Sequence, residues 1–120
     1  MSHFSLGAQV LTVMLLVCGL AEARPLNVWD STPAAEAILD GRNAQYVIRF
    51  DGWVDHGASQ MDITENGKVV ESLTPTRDSE PDVLAASSPA LAPGRYQLHW
   101  RAKSVPDGDF SDGFIPFTVR

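Results

Sequence analysis

A chain of 120 residues, 44% of them hydrophobic, has room for one small domain with its own core. Its formal net charge of −6, from 15 Asp and Glu against 9 Lys and Arg, argues against nucleic acid and anionic membrane surfaces as partners. Its single cysteine, Cys18, rules out an internal disulfide framework.

The first element is an export signal. Val10, Leu11 and the run from Val13 to Val17 make an apolar stretch, and Ala21-Glu22-Ala23 follows as a small-residue cleavage pattern. No Lys or Arg precedes Arg24, so the positive n-region is weak. The apolar stretch is shorter than the roughly 20 residues that a membrane span needs. Leu15-Leu16-Val17 places no small residue beside Cys18, so this cysteine reads as part of the removed peptide rather than a lipid anchor. Residues 1–23 are therefore expected as a cleaved signal peptide and residues 24–120 as the mature domain. Cleavage removes one acidic residue, Glu22, and no basic one, which takes the net charge from −6 to −5. An exported domain without cysteine must be held by core packing, which is feasible at about 100 residues, and fits a bacterial periplasm.

Along the mature chain, Ser31-Thr32-Pro33-Ala34-Ala35 reads as a turn, with Pro33 biasing Thr32 away from helix. Tyr46, Ile48 and Phe50 alternate with Val47 and Arg49, the period-2 signature of a strand, and Asp51-Gly52 ends it. Met61 and Ile63, then Val69 and Val70, flank Glu65-Asn66-Gly67-Lys68. An Asn-Gly pair between apolar runs predicts a hairpin, because both residues tolerate positive φ. The polar, proline-punctuated stretch from Leu73 to Pro81 reads as a loop. Leu91-Ala92-Pro93-Gly94 launches a strand with Tyr96, Leu98 and Trp100 on one face and Gln97, His99 and Arg101 on the other. Phe114, Ile115, Phe117 and Val119 make the last strand, with Pro116 implying an edge or bulge.

Recurrent strands with turns between them and no amphipathic helix predict an all-β domain. The expected architecture is a small immunoglobulin-like Greek-key β-sandwich or barrel of about seven strands. Trp29, Phe50, Tyr96, Trp100 and Phe117 are the expected core aromatics.

Three landmarks, in order, resemble the periplasmic copper-resistance family CopC. They are Asp30-Ser31-Thr32-Pro33-Ala34-Ala35 near the mature amino terminus, the strand from Leu91 through Pro93-Gly94, Tyr96 and Trp100-Arg101, and the ending Asp107-Gly108, Gly113 and Phe117-Thr118-Val119. The resemblance implies a Greek-key β domain exported to the periplasm. It also implies Cu(II) bound through the amine and imidazole of an N-terminal histidine with an Asp and a His of the late loop. Position by position, Asp107 matches the family's aspartate, Asp109 stands where its histidine belongs, and Arg24 stands where the N-terminal histidine belongs. No methionine-rich segment is present, since Met61 is the only methionine after residue 23.

These departures alter the chemistry. Cu(II) favours imidazole and amine nitrogens. Arg24 offers only its α-amine, because its guanidinium stays protonated, and Pro25 has no amide N–H that a copper ion could displace. Asp107, Asp109 and Asp112 nearly imitate a calcium loop, but with one residue too many and Thr118 where the bidentate Glu would fall. That segment reads as a solvated acidic turn. His56, beside Asp55 in the loop after Phe50, is the remaining metal-ligand candidate, weighed against a plain surface histidine. His99 is expected to point outward. No nucleophile–base pair or phosphate loop is evident, so an enzyme is not expected.

The expected function is copper homeostasis of the CopC type, with a weakened or altered Cu(II) site made from Asp107, Asp109, the Arg24 α-amine and His56. The protein is expected to be a monomer whose partners are the copper ion and, by resemblance, an inner-membrane copper transporter. The alternative is a metal-free immunoglobulin-like interaction module of the cell envelope. An exposed apolar patch away from the Asp107 loop would favour the module, and His56 clustered with that loop would favour a shifted metal site.

Overall fold

A computed structural model describes residues 25–120. The expected signal peptide and Arg24 lie outside the described residues. Eight strands follow in order: β1 (Val28–Thr32), β2 (Ala37–Leu39), β3 (Ala44–Phe50), β4 (Gln60–Glu65), β5 (Lys68–Leu73), β6 (Val83–Ser88), β7 (Gly94–Lys103) and β8 (Phe110–Val119). They form two sheets, β1-β3-β6 and β2-β8-β7-β4-β5. All pairs are antiparallel except β2 with β8. This is the all-β sandwich expected, with the three-residue β2 as a short addition on the β8 edge.

The alternation read from the sequence decides which face each strand buries. Tyr46, Ile48 and Phe50 of β3 face Tyr96, Leu98, Trp100 and Phe117 of β7 and β8, all buried in one cluster. Phe50 meets Trp100 edge-on with ring centroids 5.0 Å apart, and Tyr46 meets Phe117 at 5.7 Å. Both contacts join one sheet to the other, and such aromatic pairs contribute about 0.5–1.5 kcal/mol each beyond burial. The Tyr96 hydroxyl donates to the Ala92 carbonyl at 2.6 Å, tying the start of β7 to the preceding turn. That arrangement is characteristic of immunoglobulin-like sandwiches.

Asn66 and Gly67 take φ of 52° and 78°, the paired positive values of a type I′ turn, and Glu65 pairs with Lys68 across it. Gly113 lies opposite Trp100. A Cβ there would sit 2.7 Å from the indole Cζ2, so the ring requires a residue without a side chain. Pro116 sits where β8 stops being a sheet edge. Its carbonyl accepts the Glu36 N–H at 2.7 Å, and β2 begins to pair at Phe117.

Two expectations need correction. Trp29 is not a core residue: it is 75% exposed. The β1 register shifts between Val28 and Asp30, which leaves Trp29 without a cross-strand partner on an edge strand. The turn expected from Ser31 onward starts later, because Ser31 and Thr32 still pair with β3 before the chain bends at Pro33. The polar loop is confirmed between β5 and β6, but β6 itself carried no alternation. Val83, Leu84, Ala85 and Ala86 are all buried in succession.

Candidate metal site

The β7–β8 connection is closed by its own first residue. Ser104 N–H donates to the Asp109 carbonyl at 2.8 Å, the Ser104 carbonyl accepts Gly108 N–H at 2.9 Å, and Ser104 Oγ accepts Asp109 N–H at 3.2 Å. Gly108 has φ of 80°, a left-handed conformation that glycine adopts without strain. Val105 N–H donates to the Trp53 carbonyl at 3.0 Å, and Asp55 N–H to the Lys103 carbonyl at 2.9 Å. The loop that carries Asp107 is thereby fixed against the loop that follows β3.

The start of the described chain is fixed against the loop that follows β3 and the first residues of β8. Leu26 is buried, and its N–H donates to Ser111 Oγ at 3.0 Å. The Asp51 carboxylate accepts the Asn27 N–H at 2.9 Å and the Asn27 side-chain amide at 3.1 Å. Asp51 N–H donates back to the Asn27 carbonyl at 3.0 Å. Between these segments lies a cavity of about 150 Å³, lined by Pro25, Leu26, Asp51, Trp53, Val105 and Asp107 among others.

Pro25 and Asp107 thus line one cavity, whose lining does not include Asp109, Asp112 or His56. Asp109 is exposed on the same loop, and both its backbone groups are engaged by Ser104. Asp112 has left the loop and belongs to β8, its Oδ2 3.7 Å from His99 Nε2 on the outer sheet face. The three carboxylates of the calcium-like spacing thus do not share a loop. His56 lines a different, larger cavity of about 620 Å³, with Met61, Asp62, Leu73 and Arg77. Its Nε2 lies 2.8 Å from the Val83 carbonyl and 3.1 Å from the Glu80 carbonyl, so that nitrogen carries the hydrogen and donates it. The Asp55 carboxylate caps Gly57 and Ala58 N–H groups in the same loop. His99 points to the outer face as expected, stacked on Phe114 with centroids 4.7 Å apart and its Nδ1 3.7 Å from Asp62. Among the described residues, no group of three or more His, Cys, Asp or Glu side chains converges as a metal cluster.

Asp51, Trp53 and Ser111 were not singled out from the sequence. Asp51-Gly52 was legible only as a strand break, and nothing local links it to Asn27, 24 positions away, or Ser111 to Leu26, 85 positions away.

The fold is a two-sheet immunoglobulin-like sandwich whose first described residues lie beside the acidic β7–β8 loop. The CopC domain model matches residues 28–120, and the chain belongs to the CopC family, a family of copper-resistance proteins. Among solved structures, CopC from Methylosinus trichosporium OB3b is 30% identical, with a TM-score of 0.68 over 78% of this chain and 92% of that one. An engineered protein, 19% identical, shares the fold with a TM-score of 0.64 over 83% of this chain and 21% of its own. Comparison with curated proteins gives no match.

Proposed function

We propose that this chain is a periplasmic copper-homeostasis protein of the CopC type, a binding protein rather than an enzyme, with a weakened or altered Cu(II) site. Copper is its cargo. The protein donors are the α-amine of Arg24, freed by cleavage after Ala23, and the Asp107 carboxylate. The observation that carries this reading is that Pro25 and Asp107 line one cavity.

An amine nitrogen and a carboxylate oxygen suit Cu(II), but they supply only part of the donor set that imidazoles would complete. Pro25 offers no amide to deprotonate, the Leu26 N–H is engaged by Ser111, and the Asp51 carboxylate is engaged by Asn27. Asp109 is the next carboxylate on the same loop. His56 serves the other cavity. The amine must shed a proton to bind, so copper competes with protons there. A copper transporter of the inner membrane is the proposed recipient, and co-purification of the two proteins checks it.

The second reading, a metal-free interaction module, draws support from Val69 and Val70, which are 56% and 44% exposed on the edge strand β5. Competition titration of the processed chain with Cu(II) separates the two. One-to-one binding that Asp107→Ala weakens at least tenfold supports the copper site. Binding no tighter than that of a generic acidic surface, and equal in both proteins, refutes it and favours the module.

A further inference from the structure

We infer that the outer face of the five-stranded sheet, centred on β7 and β8, is an interface on which two copies of this chain associate face to face as a weak dimer. The inference is independent of the copper reading above. Strand alternation sets the face. Tyr96, Leu98 and Trp100 of β7 turn inward and are buried, so His99, Arg101 and Lys103 turn outward, beside Phe110, Asp112 and Phe114 of β8. Two phenylalanines thus lie on the solvent side of the sheet, Phe114 56% and Phe110 45% exposed. Apolar rings gathered on one sheet face and rimmed by polar residues mark a surface that another surface covers.

Charge points to a second copy as the occupant. The chain carries a net charge of −6, so two copies repel one another in most orientations. On this face the signs balance, with Arg101 and Lys103 set against Asp112 and against Asp62 of the neighbouring β4. Among the described residues neither cation is in an ion pair, whereas Arg42, Arg49 and Arg95 each hold a carboxylate. The Arg101 guanidinium lies over the Phe110 ring, 3.9 Å from its centroid, and Lys103 Nζ is 5.9 Å from the same point. Stacking orients a guanidinium and leaves its N–H edge free to donate. Asp62 and Asp112 face only His99, at 3.7 Å each, and that ring is stacked on Phe114.

A two-fold interface uses one patch twice, so a patch carrying both signs can satisfy both copies. Arg101 and Asp112 are opposite one another in the β7–β8 register. A two-fold axis running along the strands, between β7 and β8, therefore lays β7 of one copy over β8 of the other at the same level. Arg101 of each copy then faces Asp112 of the other, and His99 faces Phe114. Strands β7 and β8 have ten residues each, about 34 Å of length, and with β4 the face is about 14 Å wide. Pairing two such faces covers on the order of 1,000 Å² in total, the range of weak, reversible interfaces.

The test is sedimentation equilibrium of the processed chain, kept metal-free by a chelator so that the result does not depend on copper. The parent is expected to pass from monomer to dimer as its concentration rises through the micromolar into the millimolar range. Phe114→Glu sets a carboxylate into the face, and Arg101→Glu places like charges opposite one another. Each is expected to weaken the dimer at least tenfold. Both positions are exposed, and circular dichroism checks that the variants stay folded. Arg101→Glu combined with Asp112→Arg rebuilds the same pairs with the signs exchanged and should recover most of the parent affinity. Trp29→Ser, on an edge strand of the other sheet, should leave the dimer unchanged. A parent chain that stays monomeric at millimolar concentration overturns the proposal. So does a dimer that Phe114→Glu leaves intact or Trp29→Ser dissolves, since the contact then lies elsewhere. Failure of the double exchange to recover affinity overturns the pairing of Arg101 with Asp112.

Discussion

The two ends of this sandwich are held by different forces. Around Phe50, Trp100 and Phe117 the structure is fixed by packing: rings from both sheets interlock, and each lies at or near full burial. Around Asp107 it is fixed by a few hydrogen bonds made by Ser104, Asp51 and Ser111. The first kind of order depends on many side chains at once and tolerates little change in volume. The second depends on a few polar atoms, and the donors presented to solvent can be exchanged without disturbing the core. Residues at the loop end can therefore change while the fold is kept.

That contrast can be broken at the core first. Phe117→Ala removes a fully buried ring and is expected to cost about 3–5 kcal/mol in denaturant unfolding, while the folded fraction keeps its copper affinity. Gly113→Ala drives a methyl group against the Trp100 indole and is expected to cost about 1–3 kcal/mol, measured the same way. Tyr96→Phe removes the hydroxyl that donates to the Ala92 carbonyl and should cost about 1 kcal/mol. At the other end, Asp107→Ala is expected to change stability by less than about 0.5 kcal/mol, as for an exposed side chain away from structural features, yet to remove most of the copper affinity. A loss of copper binding in Phe117→Ala protein that is still folded would erase the distinction between the two ends.

The smallest effect concerns pH. Burial pushes the Tyr46 phenol above its ordinary value. A phenol whose folded value is raised holds its proton more firmly in the folded state. Its contribution is therefore fully present below about pH 10 and is lost as pH rises through the raised value. Thermal unfolding followed from neutral to alkaline pH should show stability falling only above that point, and Tyr46→Phe should remove that component of the alkaline loss.

What the sequence made legible divides along the same line. The β3, β7 and β8 cores were readable because strict alternation is a local signal, and the Asn66-Gly67 turn because its chemistry is local. β6 was not readable: Val83 through Ala86 are buried one after another, and Ala and Ser have little strand preference. Trp29 misled because hydrophobicity marks a residue for burial only when its strand position faces the core, and a bulge on an edge strand took that away. At the site, Asp107 stood out through its place in a familiar loop. Asp51 and Ser111 could not, since their partners are remote in sequence and their bonds depend on how the loops meet.

The most direct test of an imidazole-free site is pulsed electron paramagnetic resonance of the processed protein loaded with one equivalent of Cu(II). The account expects coupling to a directly bound amine nitrogen and none of the deep modulation produced by the remote nitrogen of a coordinated imidazole. Strong imidazole modulation, abolished by His56→Ala or His99→Ala, would contradict it and move the copper away from Asp107.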